Sequence, residues 1–466
     1  MMQKNLDSYS KPNTNTAKSQ TGITNSNLRL ADEALIAGDA NLALKLASAE
    51  LDKNSNDPLA TFLVTKAFID LKRPGFAQVF GKHNVRQLEN HAGAWVNLGN
   101  AFQLSFDLEL AKTCTEKALE IDPDGPDTFA ALNNLALTYS NAGDPVMAME
   151  YAHKALALHP DDAEVSETMG FAHLQMHKWT PGWNWYNLGL GRTRDRMSRN
   201  YNGVPVWDGS KGKTVVLYGE QGIGDEILFA QIVPEMMKDC NVIIDTCATL
   251  KTLFQSSFDV PVYGTRYVEK LPWFESHDVD ACMSMAQAME MYRGRNEDFT
   301  GKPYLKVSPE KRGWWKAILS QYPGKKVGLS WSAGLPETGR KKRELSKEEV
   351  ILLNDGSTFV SLEYKDAKED IEWLRSEGMN ILDFSMFING HKNYEDTAAL
   401  VSELDHVIAP TTTVVDLCGA LGQSCDVLVP EVPPWRYFGE NCWYKSVNYI
   451  RQQGSWSETI RGQNAG

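Results

Sequence analysis

The chain has 466 residues, 42% of them apolar, and a formal net charge of −13. That length exceeds one ordinary core and calls for two or three domains. The acidity speaks against nucleic-acid binding, which needs a basic face to track phosphates, and against a polybasic membrane anchor; no apolar run is long enough to span a bilayer.

Residues 1–25 begin MMQKNLDSYSKPNTNTAKSQTG, with no apolar core of a secretory signal, and read as a disordered polar tail. From 26 to 195 the chain repeats itself. Small residues recur at Ala43, Ala77, Ala111, Ala148 and Gly182, at spacings of 34, 34, 37 and 34, and twelve residues before each stand Ala31, Thr65, Gly99, Ala136 and Gly170. A helical hairpin packs closely only where side chains are small, so two small positions per repeat predict stacked helix pairs. Trp95, Leu98, Gly99, Phe102, Ala111, Ala118 and Pro123, then Leu135, Ala136, Tyr139, Gly143, Ala148, Ala155 and Pro160, follow the tetratricopeptide signature. The region resembles that family, which implies an all-α solenoid whose concave face holds a protein or peptide. The first two repeats are degenerate, with Glu50 and Asn84 at a normally small position.

After about Val204 the pattern becomes α/β. TVVLY, a glycine loop with Gly219, Gly222 and Gly224, an apolar helix interrupted by Pro234, and VIIDT make a βαβ unit and hence a parallel sheet. A second set starts near Lys325: KVGLSW, TFVSL, MNILDF, HVIAP and CDVLVP alternate with helical segments. Two doubly wound halves, 204–324 and 325–460, would leave a cleft at the C-terminal ends of their strands.

The stretches VWDGSKGKTVVLYGEQGIGDEILFAQIVP, VGLSWSAG, EDTAALVSELDHVIAPTTTVVDLCGALG and PPWRYFGENCWYKSVNYIRQ occur in that order. They resemble the glycosyltransferase family 9 (heptosyltransferase-like) GT-B proteins fused to tetratricopeptide repeats. The layout is also similar to that of the nucleocytoplasmic O-linked N-acetylglucosamine transferases. The resemblance implies a GT-B domain, inverting and metal-independent, with no cofactor beyond a nucleotide-sugar co-substrate. The first half would be the acceptor side and the second the nucleotide-sugar side. An interaction scaffold that keeps a degenerate GT-B shell is the alternative from another class.

Sugar transfer needs a base for the acceptor hydroxyl and stabilisation of the departing diphosphate. Asp225, matching the family's Gly-Asp motif, is the candidate base unless it only caps its helix, and Glu220 is the reserve. Thr411, Thr412 and Thr413 open a helix, where backbone N–H groups suit a pyrophosphate; the bland reading is again a cap. Thr411 stands where the family has Asp, and Asp416 where it has His. Arg343, within the basic run Arg340–Arg343, matches a family arginine at the diphosphate, or else belongs to a solvated loop. Ser330, Ser332 and Gly334 would line the second half's mouth, and Arg436 would contact substrate or hold the joint, beside a packed Trp435. Asp278-Val279-Asp280 is a chance D-x-D, and no metal site is expected. Seven scattered cysteines without a C-x-x-C pair fit a reducing cytoplasm.

Overall fold

The computed structural model describes residues 25–193, 196–334, 339–388 and 392–464. Residues 1–24 of the polar tail, and residues 194–195 at the end of the expected repeat region, lie outside the described residues. Ten helices build the N-terminal solenoid: α1 (Ser26–Ile36), α2 (Ala40–Leu51), α3 (Pro58–Asp70), α4 (Pro74–Gln87), α5 (Ala92–Gln103), α6 (Leu108–Ile121), α7 (Thr128–Asn141), α8 (Pro145–Leu158), α9 (Ala163–Gln175) and α10 (Trp179–Asn187). Their starts are written locally. Asp39, Asp57, Asp144 and Asp162 cap helices by accepting backbone N–H bonds, and α3, α4 and α8 begin with proline.

All ten small repeat positions are buried, one per helix. At Gly170 the neighbour is backbone, since a Cβ there would lie 2.5 Å from the backbone nitrogen of Tyr186 on α10. The two degenerate positions hold polar groups with partners. Asn84 donates to the Pro58 carbonyl at 2.8 Å, and Glu50 accepts from Asn25, Asn27 and Lys53. Each thereby ties its helix to the start of a neighbouring one.

Two parallel sheets follow. The first contains β1 (Thr214–Tyr218), β2 (Asn241–Asp245), β3 (Val262–Tyr263) and β4 (Ala281–Ser284) in the order β3-β2-β1-β4. The second contains β5 (Lys326–Leu329), β6 (Thr358–Ser361), β7 (Ile381–Leu382), β8 (His406–Pro410), β9 (Cys425–Val429) and β10 (Val447–Arg451) in the order β10-β9-β8-β5-β6-β7. β1 pairs with β2 from Thr214↔Asn241 to Tyr218↔Asp245, and β5 with β8 from Val327↔His406. Pro234 acts as expected: the helix Ile223–Phe229 ends, a tight turn follows, and a short helix restarts at Val233–Met236.

The helix Pro309–Leu319, in the stretch that joins the two halves, packs on Tyr394–Val401 of the second, with Lys311 paired to Glu395 and Asp396 and Arg312 to Glu403. Trp315 and Leu319 of this helix are buried in the same apolar cluster as Tyr394 and Ala398, and the ion pairs flank that contact.

The solenoid is fastened to the sheets through α10. Trp183 Nε1 donates to the Arg293 carbonyl at 2.8 Å and Trp179 Nε1 to Asn296 at 2.6 Å, while the Trp183 ring meets Trp435 edge-on. No helix among the described residues is long and apolar enough to cross a membrane.

Candidate functional site

In each sheet the strand order reverses once, between β1 and β4 and between β5 and β8. Loops leaving strand ends at such a reversal diverge and open a crevice. Those loops are Gly219–Gly224 after β1, Ser330–Gly334 after β5 and Thr411–Thr413 after β8. They face a common cavity of about 1040 Å³. Its third wall comes from the repeats: Phe106, Leu137, Ser140, Asn141, Phe171 and Gln175 line the same space.

Most of the sequence-predicted residues meet here. Gly222, Gly224, Asp225, Ser330, Gly334, Arg343, Thr411, Thr412, Thr413 and Arg436 all line the cavity. Two do not. Glu220 is 3% exposed and accepts two bonds from Arg196, at 2.9 and 2.6 Å, underneath the loop. Arg196 itself stacks 3.7 Å over the Tyr186 ring, so Glu220 anchors the glycine loop to the repeats rather than facing a substrate. Ser332 turns its backbone N–H to Glu363 at 2.8 Å.

On the second half, the helix Thr413–Leu421 aims its N-terminus into the cavity. Thr412 occupies the cap position without making a side-chain cap bond, and the hydroxyls of Thr411 and Thr412 reach no hydrogen-bond partner among the described residues. The bland capping role is therefore not what these side chains perform. Arg343 is buried beside them and donates to the Thr411 carbonyl at 3.4 Å; burial lowers its pKa from the ordinary value. The basic run forms one helical turn, Arg340–Arg343, with Lys341 and Lys342 exposed and Arg343 turned inward. Exposed helix amides, hydroxyls and a guanidinium form an anion-receptive corner.

On the first half, Asp225 is the third residue of its helix and half-buried. Its carboxylate pairs with Arg436 at 3.0 Å. Arg436 also reaches Asp416 at 3.4 Å, so one guanidinium lies between two carboxylates from opposite halves. Gly224 permits this approach: a Cβ there would sit 3.0 Å from Thr413 Oγ1 and 3.3 Å from Asp416 Oδ2. Burial pushes the Asp416 carboxyl from 3.8 up to about 7, with Arg436 opposing and Asp225 reinforcing the rise.

Sequence reasoning missed several members. Glu363, two residues past β6, accepts from Ser330 Oγ, Trp331 N and Ser332 N at 2.9, 2.6 and 2.8 Å and so shapes the loop after β5. An acid at the end of a parallel strand was the signal available for it. Lys365 lines the cavity with a buried ammonium that meets no acceptor among the described residues. The contribution of Phe106 and Phe171 depends on how the solenoid docks, which local pattern does not carry. Of the D-x-D triplet, Asp280 is occupied by Lys213 and the Thr214 N–H.

Comparison with known proteins places residues 90–161 in the Tetratricopeptide repeat family. Protein FlbA of Caulobacter vibrioides is 27% identical over 364 residues, which cover 72% of this chain; the chain spans 60% of that relative's length. Among solved structures, TTC0263, a thermophilic repeat protein of Thermus thermophilus, is 22% identical, with 36% of this chain and 90% of that chain covered and a TM-score of 0.32. MamA is 19% identical, covering 35% of this chain and 94% of that one at a TM-score of 0.30. The type IV pilus biogenesis factor PilW is 18% identical, covering 36% and 76% at 0.33. The chain therefore joins a tetratricopeptide repeat region, a module that suits protein partners, to a C-terminal part of parallel sheets with helices.

Proposed function

We propose that this protein is a GT-B glycosyltransferase that moves a sugar from a nucleotide-sugar donor to a hydroxyl on a polypeptide held by the repeats. The observation that carries this reading is the shared cavity. An anion-receptive corner, a half-buried carboxylate and the inner wall of a repeat array border one space. The donor diphosphate would lie against Thr411–Thr413 and Arg343, where helix amides offset the negative charge that grows as the sugar departs. The acceptor oxygen would attack the anomeric carbon while the bond to the diphosphate breaks. Its proton would pass to Asp225, and the nucleoside diphosphate would leave. The positions of Phe106, Leu137 and Phe171 suit the flank of an extended segment running off the solenoid.

One observation favours a second reading. Asp225 already holds an ion-pair partner in Arg436 at 3.0 Å, and a scaffold that binds partners through the repeats needs no base at all. Calorimetric titration with UDP-, ADP-, GDP- and CMP-sugars separates the two, with Thr412→Trp as the control that fills the corner. Saturable binding to one donor, lost in the control, is expected. If no nucleotide sugar binds, the transferase reading fails and the scaffold remains.

A further inference from the structure

Asp225, Arg436 and Asp416 form an unbalanced group. The two carboxylates come from facing helices, and the single guanidinium between them lies 3.0 Å from one and 3.4 Å from the other. Fully ionised, the trio carries a net charge of −1. It borders the corner assigned above to a diphosphate, because Asp416 stands in the first turn of the helix that Thr411 and Thr412 precede. A doubly charged anion placed there meets a carboxylate that is only 2% exposed and cannot be screened by water.

The other titratable groups around Asp416 do not relieve this. Tyr444 touches it at 3.5 Å. Tyr304, Tyr394, Tyr437 and Tyr449 surround it, with Cys425 on β9. Cys418, on the same helix, turns to Cys425. Burial lifts Tyr304, Tyr394, Tyr437, Tyr444 and Tyr449 above their ordinary values, and contact with Cys418 together with burial does the same for Cys425, so these six stay neutral around pH 7. Arg436 is the one cation that acts on Asp416 among the described residues, and Asp225 shares it.

We propose that Asp416 gates the anion corner by its protonation: the cleft admits a diphosphate with Asp416 neutral and Arg436 resting on Asp225, and it rejects the anion once Asp416 is ionised. Anion binding thereby takes up a proton. Burial, which raises Asp416 to about 7, sets the gate in the neutral range. This inference rests on the reading of Thr411–Thr413 as a diphosphate site.

The test uses the full-length protein and symmetric dimethyl pyrophosphate, a diester with one methyl on each phosphate, whose two charges do not titrate near neutrality. Calorimetry is run from about pH 6 to about pH 8, in buffers of unlike ionisation enthalpy. Linkage predicts affinity about tenfold weaker at the upper end, and uptake of about half a proton per anion at pH 7. Asp416→Asn should flatten the pH dependence and hold the affinity near its acidic-limb value. The uptake measured on the unaltered protein decides the matter even if the variant misfolds. Binding that is flat with pH and takes up no proton overturns the gate and leaves the anion site standing. Absence of binding at every pH overturns the anion site, and the gate with it.

Discussion

Replacing Asp416 by asparagine should stabilise the folded chain at neutral and alkaline pH, and not at acid pH. The carboxyl moves from 3.8 to about 7 on folding, with burial as the main cause. Because the folded value is the higher one, the native state keeps a proton that the unfolded chain releases between about pH 4 and about pH 7, so stability falls as pH rises through that window. At about 1.4 kcal/mol per pH unit, the full effect is about 4 kcal/mol above the window and nothing below it. The side chain is 2% exposed, so solvent screening takes little from this figure. Asparagine has nearly the shape of the neutral acid and does not titrate. The variant and the natural protein should therefore unfold at the same urea concentration near pH 4 and separate progressively up to about pH 8, the variant lying higher. Tryptophan fluorescence is a suitable probe, since Trp435 and Trp443 pack beside Arg436. A difference that does not change with pH, or a variant less stable at pH 8 than the natural protein, would refute the charge assignment in the trio.

Three further outcomes follow from local geometry. Gly170→Ala should force α9 and α10 apart, because the new methyl meets the Tyr186 backbone at 2.5 Å; a loss of about 1–3 kcal/mol is expected in thermal unfolding, whereas Gly75→Ala, with open space around it, should be neutral or slightly stabilising. Glu363→Ala should orphan three donors in the loop after β5, costing about 3–9 kcal/mol at about 1–3 for each buried unpaired group, and hydrogen exchange should quicken at the Trp331 and Ser332 amides. Arg196→Met should release Glu220 and loosen the glycine loop, seen as faster exchange at residues 219–222 with the solenoid helices α1–α6 unaffected.

Much of this architecture is legible in the chain because close packing leaves a mark on composition. Two helices that cross tightly tolerate only small residues, so Ala31 to Gly182 announce the hairpins one by one, and all are buried. Buried parallel strands such as TVVLY and VIIDT are likewise continuous apolar runs. Other elements leave weaker marks. β3 has two residues, β4 reads ACMS, and β10 is an edge strand with only Val447 buried, so none carries an apolar run that a pattern could find. In the site, glycines and threonines at strand ends were readable because crevice loops must occur there. Side-chain direction was not. Glu220 and Asp225 lie five residues apart on one turn, and only the placement of Arg196 below and Arg436 above sends one inward and the other to the cleft.

That division of roles bears on what kind of protein this is. A purely structural domain gains stability by filling such a cleft with apolar side chains, since buried polar groups without partners are costly. Here the cleft instead holds two threonine hydroxyls and a lysine ammonium without hydrogen-bond partners among the described residues, and two carboxylates sharing one guanidinium. Under the proposed gate, an anion bound together with a proton would give the hydroxyls and the ammonium a partner and leave Arg436 to Asp225. Glu220, Glu226 and Glu363 lie outside the trio, and the bonds they accept tie down loops around the cavity. The proposed gate gives the trio a response to charge that a domain used only as a platform for the repeats does not need, which is why the anion titration discriminates more sharply between transferase and scaffold than a partner-capture experiment.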